Sequence, residues 1–222
     1  MARILDRDGV RRFYDRLGGA LDSQAFYENA GLDVLCAHSA FDRAGAVFEF
    51  GCGTGRFAQW LLEEFLPAGA RYLGVDLSPR MVELARRRLA PWADRARVEL
   101  TDGDVHLPQA DNSWDRFVST FVVDLLPEHE ARVLLCEAHR ILRGNGRLCL
   151  VSITRGTTPL SRAVMGCWSV LGRLSPWLTG GCRPVALRSL LHPEQWDVTF
   201  DEVVIRFGVA MEVLVASPYG EG

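Results

Sequence analysis

The stretch Ala46-Val-Phe-Glu-Phe-Gly-Cys-Gly-Thr-Gly-Arg-Phe-Ala58 decides how the chain is read. It opens with a short apolar run, Val47, Phe48 and Phe50, interrupted only by Glu49. Three glycines follow at alternate positions, Gly51, Gly53 and Gly55. Phe57, Trp60, Leu61 and Phe65 then recur at helical spacing. The pattern predicts a buried strand, a glycine loop and a helix. Glycine lets the backbone turn sharply and approach a ligand with no Cβ in the way. The helix start behind the loop offers unpaired N–H groups.

The chemistry of the loop narrows the ligand. A dinucleotide fingerprint, G-x-G-x-x-G, ends in a glycine where this chain has Arg56. Glu49, two residues before the loop, would repel a pyrophosphate but suits an ammonium group. A zwitterionic, phosphate-free nucleoside fits, and S-adenosylmethionine (SAM) is the candidate. Taken alone, such a loop reads equally as a structural turn in another α/β protein. The segments further along separate the two readings.

At 222 residues the chain is expected to form one domain with a sizeable core. Hydrophobic residues make up 48% and charged residues 24%, the balance of a soluble globule. A net charge of −3 gives no reason to expect nucleic acid. No run of 18 apolar residues calls for a membrane span, and Met-Ala-Arg-Ile-Leu-Asp-Arg-Asp has no signal-peptide core. A cytoplasmic location is therefore expected. The six cysteines at 36, 52, 136, 149, 167 and 182 form no C-x-x-C pair. They read as reduced core and loop residues, not disulfides or a metal site.

Outward from the loop, periodicity alternates. Val10, Phe13, Tyr14 and Leu17 predict a helix ending at Gly18-Gly19, and a second helix is expected from about Ser23 to Phe41, with Gly31 as a possible interruption. Both precede the first strand and are expected to cap its ligand edge. Tyr14 is a candidate to reach a ligand carboxylate, or simply a packed aromatic. Arg71–Asp76 reads as strand two, and an acid there faces ribose hydroxyls in a βαβ unit. Ser78-Pro79 starts the next helix. Arg97–Thr101 is strand three, followed by the loop Asp102-Gly-Asp-Val-His-Leu-Pro108. Here Asp104 could accept from an adenine amino group and Val105 pack on its ring, whereas His106 reads as a surface residue. Trp114–Val123 is expected as strand four, Glu128–Arg143 as a helix stopped by Gly144-Asn-Gly146, and Arg147–Ile153 as strand five. Residues 155–195 show no clean period, and 198–207 with 210–216 predict a closing antiparallel hairpin around Gly208. Strands alternating with helices argue a doubly wound α/β sheet.

The arrangement resembles class I SAM-dependent methyltransferases over roughly residues 46–154. Glu49-x-Gly51-x-Gly53-x-Gly55 is similar to the first motif of that family, Asp76-Leu-Ser-Pro-x-Met81 to the second, and Gly103-Asp104-Val105 with Leu107-Pro108 to the third. Trp114-Asp115, Thr120-Phe121 and Leu142-Arg-x-x-Gly146 also fit. The resemblance implies a seven-stranded Rossmann-like sheet, order 3-2-1-4-5-7-6 with strand seven antiparallel. It implies an N-terminal helical cap (1–45), a SAM-binding core (46–154), a lid or substrate segment (155–195) and the hairpin (196–217). Glu49, Gly51, Cys52, Gly53 and Gly55 would hold the methionine end. Asp76 would bind the ribose, Leu77 and Met81 the adenosine, Gly103, Asp104 and Val105 the adenine, with Tyr14 and Thr120 beside them.

Phe13-Tyr14-Asp15-Arg16-Leu17 looks like the N-terminal helix of the group that includes quinone C-methyltransferases and phospholipid N-methyltransferases. The resemblance thus implies methyl transfer to a small, hydrophobic acceptor. No catalytic residue is assigned; Asp124, His129 and His192 are candidate bases, each with a structural reading beside it. Asp124-Leu-Leu-Pro127 is not the Asn/Asp-Pro-Pro-aromatic motif of base-modifying enzymes, and no acid pair after strand five points to a metal. A non-catalytic SAM-fold protein and a nicotinamide oxidoreductase remain as alternatives, the latter disfavoured by Arg56 and Glu49. The apolar residues between Leu160 and Leu178 read as either a lid over the acceptor or ordinary core.

Overall fold

The computed structural model describes residues 5–219. It begins with α1 (Arg7–Leu17), whose first turn is capped by Asp6 accepting from Gly9 N at 2.7 Å. Irregular turns lead into α2 (Ala25–Ser39). Gly31 does not interrupt α2: it lies where the helix crosses the sheet, and a Cβ there would meet Val151 Cγ1 at 3.2 Å and Met211 Sδ at 3.4 Å. Strand β1 (Ala46–Phe50) is buried at every position, as expected for a central parallel strand. It is followed by α3 (Arg56–Trp60), which continues into a wider π-type turn at Leu61–Phe65. Then come β2 (Arg71–Asp76), α4 (Pro79–Arg88), β3 (Ala96–Leu100) and β4 (Trp114–Thr120). α4 has the expected start, with Ser78 Oγ accepting from Met81 N at 3.1 Å and Pro79 in the first turn.

α5 (Glu128–Ile141), β5 (Leu142–Ile153), α6 (Pro159–Leu174) and the hairpin β6 (Trp196–Arg206) and β7 (Val209–Pro218) complete the chain. The sheet order is β3-β2-β1-β4-β5-β7-β6, with β7 antiparallel to both neighbours, as the resemblance implied. Phe207 and Gly208 turn the hairpin with φ of 52° and 82°, and Arg206 pairs with Val209. Two positive φ values in a two-residue loop match the twist of the flanking strands.

Apolar side chains cover both faces. Leu32, Leu35, Phe57, Leu61 and Val82 pack on one, against Val47, Tyr72, Val118 and Val151. Leu134, Leu135, Ala138 and Ile141 of α5 pack on the other, against Phe48, Phe117 and Leu150.

Three boundaries differ from the sequence reading. β4 stops at Thr120 although the apolar run continues to Val123, because Phe121 adopts φ 58° and breaks the extended backbone. α5 passes directly into β5 at Leu142, which pairs with Trp114, so Gly144 and Gly146 lie inside the strand and stop nothing. The segment without a clean period contains the 16-residue α6. Its signal was the capping box Thr158/Ser161 with Pro159 in the first turn. Its apolar residues are not confined to one buried stripe: Leu160 and Leu174 are 69% and 70% exposed, while Met165 is buried.

Candidate functional site

The strand order reverses between β1 and β4, and the carboxyl ends of β1, β2 and β4 open there into a cavity of about 500 Å³. Ligands of open α/β sheets bind at such a switch point, and the volume is that of a small-molecule site. Glu49 closes the floor. Its side chain is 1% exposed, and its Oε2 accepts from the Tyr72 hydroxyl at 2.5 Å. Burial pushes this carboxyl up to about 7; the Tyr72 hydrogen bond opposes the rise, and the Asp76 charge adds to it.

Asp76 ends β2 on the same wall. Its Oδ2 accepts from Gly53 N at 2.8 Å and its Oδ1 from Ser78 N at 2.9 Å, so it ties the glycine loop to the start of α4. Burial raises it to about 6, against the pull of those two N–H groups.

The three glycines do different work. A Cβ on Gly51 (φ 82°) would lie 2.3 Å from Val122 Cγ2. One on Gly55 would lie 3.0 Å from the Ala85 backbone, so Gly55 lets α3 approach α4 and does not line the cavity. Only Gly53 combines a cavity-wall position with room for a side chain, its nearest neighbour being Leu21 Cδ2 at 3.4 Å.

Of the other residues singled out, Tyr14, Cys52, Leu77, Gly103 and Thr120 line the cavity. Met81, Asp104 and Val105 do not. Met81 and Val105 are buried in the core, and Asp104 Oδ1 accepts from His106 N at 3.1 Å within its own loop. His129 and His192 are exposed, on α5 and near the start of β6, and reach no cavity wall. Asp124 alone of the three candidate bases is buried, and burial pushes it up to about 7. It lies behind the wall, beside the Cys182 thiol, and neither of its carboxylate oxygens has a well-formed hydrogen bond among the described residues.

The N-terminal cap contributes most of what the sequence did not reveal. Thr54 Oγ1 donates to Asp22 at 2.6 Å, and Arg88 bonds both Asp22 and Thr54. Arg56 pairs with Glu28 at 2.8 Å. These links lock α2 and its preceding turns onto the glycine loop. Arg56, read from sequence only as the residue that spoils a dinucleotide fingerprint, is a structural tie. Tyr14 closes the opposite side, its hydroxyl 3.9 Å from Cys182 Sγ, with both groups held neutral by burial. Of residues 155–195 only Cys182 lines the cavity. Within that segment Leu160, Leu171, Leu174 and Leu178 are exposed, whereas Leu187, Leu190 and Leu191 are buried in the core. The segment thus meets the cavity through Cys182. Trp168 links the two, its Nε1 donating to the Cys182 carbonyl at 3.1 Å.

Asp22, Glu28 and Glu130 are paired with Arg88, Arg56 and Arg7, and Asp6 caps α1. Glu49 and Asp76 are the lining carboxylates left without a cation or a helix cap among the described residues.

Residues 47–146 match the family model described as a methyltransferase domain. The chain is 33% identical over 138 residues to methyltransferase GfsG of Streptomyces halstedii, covering 61% of this chain and 44% of that protein. It is 31% identical over 147 residues to an arsenite methyltransferase of Halobacterium salinarum, covering 64% and 37%. A demethylmenaquinone methyltransferase of Tropheryma whipplei is 28% identical over 144 residues, 63% of this chain and 56% of that one. The chain thus spans about half the length of the curated relatives it matches, or less. Among solved structures, the [4+2]-cyclase SpnF superposes with a TM-score of 0.74 at 17% identity over 98% of each chain. A geranyl diphosphate methyltransferase superposes at 0.69 and 12% identity over 95% and 98%. These superpositions bear out the fold.

Proposed function

We propose that this chain, whose core is a class I methyltransferase domain, binds SAM in the switch-point cavity and transfers its methyl group to a small, apolar acceptor. The observation that carries the proposal is the pair of carboxylates with no paired cation among the described residues, Glu49 and Asp76, on either side of the glycine loop. A ligand with an ammonium group and vicinal hydroxyls satisfies both. A dinucleotide would set its phosphates against them, which argues against the nicotinamide alternative.

The residues present fit the cofactor. Glu49 would take the ammonium group, Asp76 the ribose hydroxyls, and Leu77 with Gly103 would flank the adenosine. Because Asp104, Val105 and Met81 lie off the cavity wall, the adenine end would fall to Leu77, Thr101 and Gly103, which line it. SAM would supply both the methyl group and its leaving group. This chain then has to orient the acceptor in line and exclude water. The apolar wall of Tyr14, Tyr27, Phe121 and Leu125 suits that task. Burial raises both Tyr14 and Cys182, which disfavours either as a general base. Reading the cap, core, acceptor segment and hairpin as one catalytic unit is part of the proposal.

Incubation with SAM carrying a labelled methyl group and a panel of quinone, lipid-like and polyketide acceptors tests it. Transfer of label to an acceptor is expected. Bound SAM with no transfer across the panel would favour the non-catalytic alternative instead.

A further inference from the structure

A second pocket, of about 240 Å³, adjoins the cavity and shares Cys182 with it. Its wall carries three arginines, Arg155, Arg173 and Arg183, together with Trp168, Gly172 and Thr179, and no acidic residue. The sequence makes this concentration unusual, because no Asp or Glu occurs from residue 138 to residue 193. Elsewhere the arginines of this protein are largely spoken for, as in the pairs of Arg56, Arg88 and Arg140. Among the described residues none of the three pocket arginines is paired with a carboxylate. Arg183 donates from its terminal nitrogen to the Leu126 carbonyl, yet its Nε is buried with no partner. Asp124, the acid behind Arg183, is buried, and burial pushes it up to about 7 against the pull of the Arg183 charge.

Arginine in the last turn of a helix often just complements the helix dipole, and Arg173 holds that position in α6. That accounts for Arg173 alone. It accounts neither for Arg155, which precedes α6, nor for the unpartnered Nε of Arg183. Three guanidinium groups around one concave site form a donor set matched to planar or tetrahedral oxyanions.

We propose that this pocket is an oxyanion subsite, holding a phosphate or carboxylate head group of the acceptor while its apolar body lies past Cys182 in the main cavity. The proposal rests on the methyl-transfer reading and narrows its acceptor to apolar molecules that carry an anionic end. Trp168 is the partition: its ring walls the subsite, and its indole N–H fixes the Cys182 backbone at the boundary.

Calorimetric titration of the full chain tests it. Pyrophosphate and octanoate are titrated separately into the wild type, Arg155→Gln and Arg173→Gln, and S-adenosylhomocysteine into the same three proteins. Both arginines are exposed, so the variants should fold. At least one anion is expected to bind the wild type with a Kd below about 1 mM. That affinity should fall at least tenfold in each variant, with S-adenosylhomocysteine unchanged within twofold. Pyrophosphate alone would assign a phosphate ester, octanoate alone a carboxylate, and both a shared oxyanion site. The subsite is overturned if neither anion binds, or if the variants bind as well as the wild type. Failure of S-adenosylhomocysteine to bind any of the three would instead sink the methyl-transfer reading, whatever the anions do.

Discussion

Replacing Glu49 by glutamine should stabilise the ligand-free protein and weaken its hold on SAM. The ordinary glutamate value is 4.5, and burial raises it to about 7 in the fold. The native state therefore holds a proton that the unfolded chain has released between pH 4.5 and 7. Stability from this group is full below 4.5 and declines as pH rises to about 7. At ~1.4 kcal/mol per pH unit, the ionised carboxylate costs the native state about 3 kcal/mol at pH 8. Glutamine keeps an oxygen for the Tyr72 hydroxyl and carries no charge. Part of that cost should vanish, and melting at pH 8 should rise by several degrees, with little change at pH 4.5. Ligand affinity should move the other way. An ammonium group meeting an ionised carboxylate is worth ~1.5–3 kcal/mol, so SAM should bind the variant roughly tenfold or more weakly at pH 8. Wild-type affinity should also tighten as pH rises through about 7, and this slope should flatten in the variant. Scanning calorimetry and titration calorimetry at pH 6 and 8 measure all of this. A variant that is less stable at pH 8, and binds SAM as the wild type does, would refute the reasoning.

Asp76→Ala removes the acceptor of Gly53 N and Ser78 N as well as the proposed ribose contact, so SAM affinity should fall at least tenfold by titration; an unchanged Kd in the folded variant would place the ribose elsewhere. The glycine loop should divide by position. Gly55→Ala forces a Cβ onto the Ala85 backbone and should lower the melting temperature. Gly53→Ala pays only for its φ of 52°, ~1–2 kcal/mol, and should act mainly on S-adenosylhomocysteine affinity. The reverse ranking in calorimetry would contradict the geometry.

What the sequence showed and hid follows from how local each signal is. The glycine loop, the Asp76 strand end and the Ser78-Pro79 cap are each written within a few residues, and all three folded as read. The strand order came from their resemblance to a known family, since spacing alone does not order a sheet. The ties of Asp22 to Thr54 and Arg88 join residues 32 and 66 positions apart, and one sequence offers no hint that those charges meet. α6 was hidden by the Gly156, Pro159, Gly166, Gly172 and Pro176 in and around it, which read as loop, although its start is written in the Thr158/Ser161 capping box. His129 and His192 looked like chemistry only by residue type; their exposure removes them. Arg155, Arg173 and Arg183 are only scattered positive charge along the sequence; the folded chain sets the three around one pocket.

On this account Glu49 in β1 and Asp76 at the end of β2, flanking the glycine loop, select SAM over a dinucleotide. Parallel calorimetric titrations of the wild-type protein with SAM and with NAD test it most directly. The account predicts saturable SAM binding in the micromolar range, releasing protons near pH 7 as Glu49 ionises, and no heat from NAD. Binding of NAD without binding of SAM would contradict it.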